Sequence, residues 1–245
     1  MHRSALWRYA LDRAFPFSFY GVRVPSLLAV LIPAAILSSC GTISSIRGDT
    51  PSQDVSAAKS AMESAQSVTI FGHLKATGLI GMGTVHLQLA RNGAMSGKVT
   101  LPNETVQVVQ IGSNEYSNAP ASFWTALGFT AASARKAAGR WVVVRPSTGV
   151  VVRHSIFQSI ATGMTTSLGP VTNAGRRKIN GREVLGVRSS KQDFVVWLPT
   201  SGPALPVEIT GKGVQITFTH WNSTPAPSAP THVLPMSVLS VAPPP

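Results

Sequence analysis

From Ser67 to Thr219 the chain returns again and again to a period of two, apolar then polar, with turn-forming residues between the runs. Successive side chains on a strand point to opposite faces, so this pattern produces a sheet with one face apolar and one face wet. Val68, Ile70, Leu74 and Ala76 alternate with Thr69, His73, Lys75 and Thr77, and Val85, Leu87 and Leu89 alternate with His86 and Gln88. "MSGKVTL" and "TVQVVQIG" continue this first meander to a turn at Ser113-Asn114. A second meander reads "VTNAGRRKI", "REVLGVRS", "DFVVWLPT", "LPVEITG" and "VQITFTHWN". Asn92-Gly93 and Asn180-Gly181 fall between strand runs, and at Asn92-Gly93 both residues are expected at positive φ, as a tight hairpin requires. The 21 Gly and 18 Pro suit many short strands joined by turns.

Three segments break the period. Thr50-Pro51-Ser52-Gln53 has a capping residue, Pro at the first helical position and Gln three residues after the cap, which marks a helix start. In the helix that follows, Val55, Ala58, Met62 and Ala65 share one shallow apolar face. The block from Ala119 to Val144 is rich in Ala and carries Phe123, Trp124, Leu127 and Phe129; it predicts one or two short helices and then a strand at Trp141 to Val144. Residues 148 to 164 predict a further helix with Ile156, Phe157, Ile160, Ala161 and Met164 on one side. A last strand is expected near His232 to Leu239, before a frayed tail at 241–245. The fold class is therefore α+β: a single antiparallel sheet with helices gathered on one face, because a sheet must cover its apolar side. One domain over residues 51–240 is expected, since neither meander has enough helix to close a core alone.

The N-terminal region has a different logic. Residues 1 to 26 carry Arg3, Arg8, Arg13 and Arg23 against the single acid Asp12, and Leu27 to Leu37 is apolar but short for a bilayer span and interrupted by Pro33. This is the layout of a secretory signal over residues 1–39. At its end stands Leu37-Ser38-Ser39-Cys40, which resembles the lipobox of bacterial lipoproteins. The resemblance implies cleavage before Cys40 and attachment of a diacylglycerol, with fatty chains such as palmitate, to its thiol. A thiol is the side chain nucleophilic enough for thioether formation at modest pH. Two or more acyl chains, at about 0.8 kcal/mol per buried methylene, hold a protein on a membrane where one does not. Residues 40–50 then form the lipidated N-terminus and a small, polar tether.

Charge and motifs exclude several classes. The formal charge is +12, from 21 Lys and Arg against 9 Asp and Glu, which raises nucleic acid as a partner. The basic residues are spread along the chain, and the dense cluster Arg176, Arg177 and Lys178, with Arg182 nearby, flanks a turn and is expected on a solvated face. Anionic lipid headgroups or wall polymers are the alternative partners for that cluster, and no nucleic-acid partner is expected. The single Cys excludes an internal disulfide, a Cys-x-x-Cys pair and a multi-cysteine zinc site. Ser56-Ala57-Ala58-Lys59 matches Ser-x-x-Lys, but its companion Ser-Asp-Asn and Lys-Thr-Gly motifs are missing. Gly97-Lys98 lacks the first glycine and the Ser/Thr of a phosphate loop, and "GLIGMG" at 78–83 lacks dinucleotide spacing. His73 and His86 lie on neighbouring predicted strands, without a third ligand nearby. Neither an enzyme, a cofactor nor a metal is expected.

The order of features resembles the LppX/LprAFG lipoproteins of actinobacteria and the wider LolA-like carriers. The segments that carry the resemblance are "AMESAQSVTIFGHL" after the lipobox, "GAMSGKVTLPNETVQVVQIGSNEYS", "FWTALG" leading to "AGRWVVV", "INGREVLGV" and "LPVEITGKGVQITFTHWN". It implies a half-barrel: a single curved sheet with helices packed on its concave face around an apolar cavity for a lipid, glycolipid or acylated ligand. It also implies residence on the extracytoplasmic face of the cell membrane, carriage or presentation of the ligand within the envelope, and an envelope transporter as a partner. The inward-facing candidates are Ile70, Leu74, Leu87, Leu89, Val106, Val108, Phe123, Trp124, Leu127, Phe157 and Ile160. The other expectation for the same residues is a filled core, in an accessory or interaction lipoprotein of the envelope that holds no ligand.

Overall fold

Pairing joins the alternating runs into one twelve-stranded, unclosed, curved sheet. The computed structural model of the chain describes residues 50–75, 82–144, 168–191 and 193–240. Strands β1 (Ser67–Lys75), β2 (Met82–Ala90), β3 (Met95–Thr100), β4 (Thr105–Ile111), β5 (Asn114–Asn118) and β6 (Trp141–Val144) form the first meander. Strands β7 (Val171–Ile179), β8 (Arg182–Ser189), β9 (Phe194–Pro199), β10 (Glu208–Gly211) and β11 (Val214–Thr219) form the second. The first strand of one and the last of the other make the seam: β1 pairs antiparallel with β11, placing Ile70 opposite Phe218 and Gly72 opposite Ile216. The sheet then runs β12-β6-β5-β4-β3-β2-β1-β11-β10-β9-β8-β7.

Three local differences from the expectations have physical causes. The short strand β12 (Leu234–Pro235) pairs parallel with β6, so the sheet is antiparallel everywhere except at this edge. Strand β5, "NEYSN", carries no apolar alternation; Glu115 and Ser117 are its buried residues, and pairing on both sides, with β4 and β6, makes it a strand. At Asn92-Gly93 only Gly93 has positive φ, 88°. The loop between β2 and β3 spans four residues rather than two, with the Asn92 side chain accepting from the Ala94 N–H at 3.0 Å and Gly93 N–H donating to Ala90 at 3.0 Å. By contrast Asn180 and Gly181 have φ of 50° and 77°, the two-residue turn that the right-handed twist of a hairpin favours.

Helix α1 (Pro51–Ser64) begins as its sequence predicts. Thr50 accepts from the Gln53 N–H at 3.4 Å, and the Gln53 side chain accepts from the Thr50 N–H at 2.8 Å. Ala58, Met62 and Ala65 are buried and Val55 is half-buried against them. Asp54 is buried in the same first turn, where the helix dipole favours a carboxylate. Helices α2 (Ala121–Ala126) and α3 (Ala131–Ala137) follow β5, the second capped by Thr130. The backbone carbonyl of Ser240 accepts from the Thr130 N–H at 2.9 Å, which ties the end of the described chain to α3.

Two glycines on the inner face let the sheet curl. A methyl group on Gly72 would lie 2.8 Å from the Ile216 Cα and closer still to the Gln215 carbonyl. On Gly97, whose φ is 152°, it would lie 2.9 Å from the Leu87 Cα and press on the His86 carbonyl. Neighbouring backbones therefore close over both positions, as they do where a strand bends.

Candidate functional site

The inner face is continuous and apolar. Register places Ile70 beside Leu87, Leu87 beside Gly97, and Gly97 beside Val108. Ile70, Leu87, Leu89, Val106, Val108, Phe123 and Trp124 are all buried and belong to one cluster with Met62 of α1 and Phe218 of β11. Leu127 is half-buried at its margin. Leu74 of β1 pairs with Val214 on β11 and Gly83 on β2. Phe157 and Ile160, the helix predicted at 148–164, and Cys40 lie outside the described residues.

Trp124 stands apart chemically. Its ring meets Phe123 and Phe129 edge-on, at centroid distances of 5.4 and 6.3 Å, and 1% of the residue is exposed. Its Nε1 is buried and donates no hydrogen bond among the described residues. An unmade hydrogen bond of this kind costs about 1–3 kcal/mol.

The outer face carries features that the alternation did not expose. On β7 to β11 a second, smaller cluster forms from Val184, Val195 and Trp197 with Ala174, Ile179 and Val207. The Arg177 guanidinium lies 3.9 Å from the Trp197 ring centre and pairs with the buried carboxylate of Glu208. Glu208 also accepts from the Gln215 side-chain amide at 2.8 Å, and Trp197 donates to the Thr210 hydroxyl at 2.9 Å. Arg176, Arg177, Lys178 and Arg182 are all exposed, on the solvated face expected from sequence, and Arg177 in addition lies over Trp197 and pairs with Glu208. Gly186 opposite Trp197 leaves room for the indole, since a methyl there would lie 2.8 Å from the ring.

Further along this face Phe71 is 49% exposed, the sole large apolar side chain so exposed among the described residues. His73 and His86 flank its ring edge-on at 6.3 and 6.2 Å, so the two histidines are held apart by a phenyl ring. Beside His73 a groove of about 610 Å³ opens between the β3–β4 and β10–β11 turns. Among the described residues no three His, Cys, Asp or Glu side chains converge. Ser56 is exposed and its hydroxyl donates to the Ser52 carbonyl at 3.0 Å; Lys59 lies 3.9 Å from Glu63.

No protein-family model matches the sequence, and no curated protein is similar to it. Among solved structures, LprF from Mycobacterium bovis aligns with a TM-score of 0.52 at 14% identity, over 73% of this chain and 96% of its own. The chain has the fold of LprF. Mycobacterium tuberculosis lipoprotein LppX aligns at 14% identity with a TM-score of 0.46, over 70% of this chain and 94% of its own. The LolA superfamily protein NE2245 from Nitrosomonas europaea gives 9% identity and a TM-score of 0.27, over 74% and 96%. The LprF-like half-barrel explains why the apolar rows of both meanders face the same side: the β1–β11 seam brings them into one curved surface. Among the described residues no helix is long and apolar enough to cross a membrane.

Proposed function

We propose that the chain is a lipoprotein of the cell envelope, anchored at the extracytoplasmic face of the membrane through Cys40, that holds a lipid, glycolipid or acylated ligand against its inner face and carries or presents it. The observation that carries this reading is the buried, unpartnered Trp124 N–H set in apolar surroundings. An aliphatic surface with one buried, unpartnered donor suits an amphiphile whose chains need only shape and area and whose carbonyl accepts a hydrogen bond. The LprF-like fold and the lipobox-like Leu37-Ser38-Ser39-Cys40 agree with it.

The second reading is a filled-core accessory lipoprotein. It draws on the exposures of Ile70, Leu87 and Trp124, at 0, 1 and 1%, which describe a tightly closed inner face. Native mass spectrometry of the processed chain from residue 40, followed by lipid extraction, separates the two. A bound amphiphile at defined stoichiometry is expected; a consistently empty protein rejects carriage and leaves the accessory role. Membrane fractionation of the full chain tests the anchor separately. Cys40→Ala should shift the protein to the soluble extracytoplasmic fraction, and retention in the membrane would overturn lipidation at this residue.

A further inference from the structure

We propose that the outer-face groove is a binding site for a chain of neutral sugar residues. The strand register lines up Thr100, Thr84, His73, Gln215 and Thr210 across the five adjacent strands β3, β2, β1, β11 and β10. All five line the groove. With neighbouring strands about 4.8 Å apart, the row extends for about 19 Å, a length that suits linked rings better than a single small molecule.

The row is oriented from the side. Gln215 is held through its amide nitrogen by Glu208 at 2.8 Å, leaving its carbonyl oxygen to accept. Thr210 accepts from Trp197 at 2.9 Å, leaving its hydroxyl proton to donate. Thr84 and the His73 Nδ1 share a hydrogen bond of 3.2 Å. Buried Glu208 and Trp197, held by Arg177 on the same outer face, thus brace these polar groups from the side. Groups fixed in this way bind with less loss of side-chain freedom.

The chemistry selects the class of ligand. Among the described residues that line the groove there is no Asp, Glu, Lys or Arg, so these residues favour neither a phosphate, a carboxylate nor a nucleic-acid backbone. The walls include Leu101, Pro102 and Val214, which are apolar. Sugar rings combine the two needs, with hydroxyl groups at their edges and C–H groups on their faces. Phe71, next along β1 on this face and 49% exposed, supplies a ring for such a C–H face. An exposed phenyl ring beside a row of hydroxyl, amide and imidazole groups offers an apolar face to a saccharide. The row of polar groups lies on the outer face, while Val214 of the groove wall packs against the inner apolar cluster.

The test is titration calorimetry of the processed chain with mannohexaose, maltoheptaose and cellohexaose, and with phosphatidylcholine vesicles with and without a glucosylated diacylglycerol. Saturable binding of a soluble oligosaccharide supports the site and points to a free or wall polymer as its source. Binding confined to the glucosylated vesicles supports it and points to a glycolipid headgroup. In either case Phe71→Ser and His73→Ala should each weaken binding roughly tenfold, the size of one lost stacking or hydrogen-bonding contact. Both side chains are exposed, so melting temperatures should stay unchanged, and His73→Ala serves alone if Phe71→Ser disturbs the sheet. No binding to any of these probes, or binding unaffected by both substitutions, overturns the proposal. Lipid content measured on the same samples reports on the inner face, so failure of one reading does not decide the other.

Discussion

Replacing three glycines by alanine separates the two reasons the sheet needs them. Gly112 has φ of 57° and nothing near a prospective methyl group, so Gly112→Ala carries backbone strain alone. An Ala in that region costs about 1–2 kcal/mol, offset in part by about 0.4–1 kcal/mol from the lower entropy of the unfolded chain. A net loss of about 0–1.6 kcal/mol is expected. Gly72→Ala has the opposite character: contact with the backbone of β11, within 2.8 Å of the Ile216 Cα, without positive φ. Overpacking against a backbone that cannot yield costs about 1–3 kcal/mol. Gly97→Ala combines both, with φ of 152° and 2.9 Å to the Leu87 Cα, and should lose about 3 kcal/mol. For a domain of this size that is a fall in Tm of about 6–12 °C. Urea unfolding followed by circular dichroism reads the series, with an unchanged slope showing that the compactness of the end states is preserved. Equal losses for Gly97→Ala and Gly112→Ala would refute the claim that close backbone approach at Gly97 shapes the curl.

Thr50→Ala should lower stability by about 1 kcal/mol in the same assay, because it removes one half of the capping box on α1. Glu208→Ala should cost about 1–2 kcal/mol, discounted because Arg177 is 41% exposed, and should change tryptophan emission as Arg177 leaves the Trp197 ring; an unchanged spectrum would contradict the clamp. Trp124→Phe keeps an aromatic ring but removes the buried N–H, so co-purified acyl ester should fall severalfold by mass spectrometry, and unchanged ester content would remove Trp124 from the ligand's recognition.

Much of the fold is written locally. The Thr50 to Gln53 signature, the alternation of β1 and β2 and the Asn180-Gly181 turn act over a few residues, and each appears where its chemistry places it. Strand β5 is not legible, because "NEYSN" is extended by its two neighbours and not by its own pattern. The parallel contact of β12 with β6 is likewise a tertiary event between distant segments. For the sites, period two separates Ile70 and Leu87 from His73 and His86, but it does not say that Phe71 stays exposed between two imidazoles. Nor does it reveal the Arg177–Glu208–Gln215 chain, in which side chains link β7, β10 and β11. A Trp and a Glu within strand runs, opposite a Gly at 186, were the available signals for that cluster.

The β1–β11 seam also sets the order of events when the chain folds. Strand β1 has β2 as a partner as soon as both exist, but its other edge stays open until β11, near the end of the described chain, arrives. Such distant pairings form late, because a long loop must close before they contribute. A chain cut short between β2 and Val214 would therefore present the open edge of the nine-residue strand β1, which carries Phe71, an adhesive ribbon for other copies. Completion of the last long strand is what converts that hazard into the midline of the sheet.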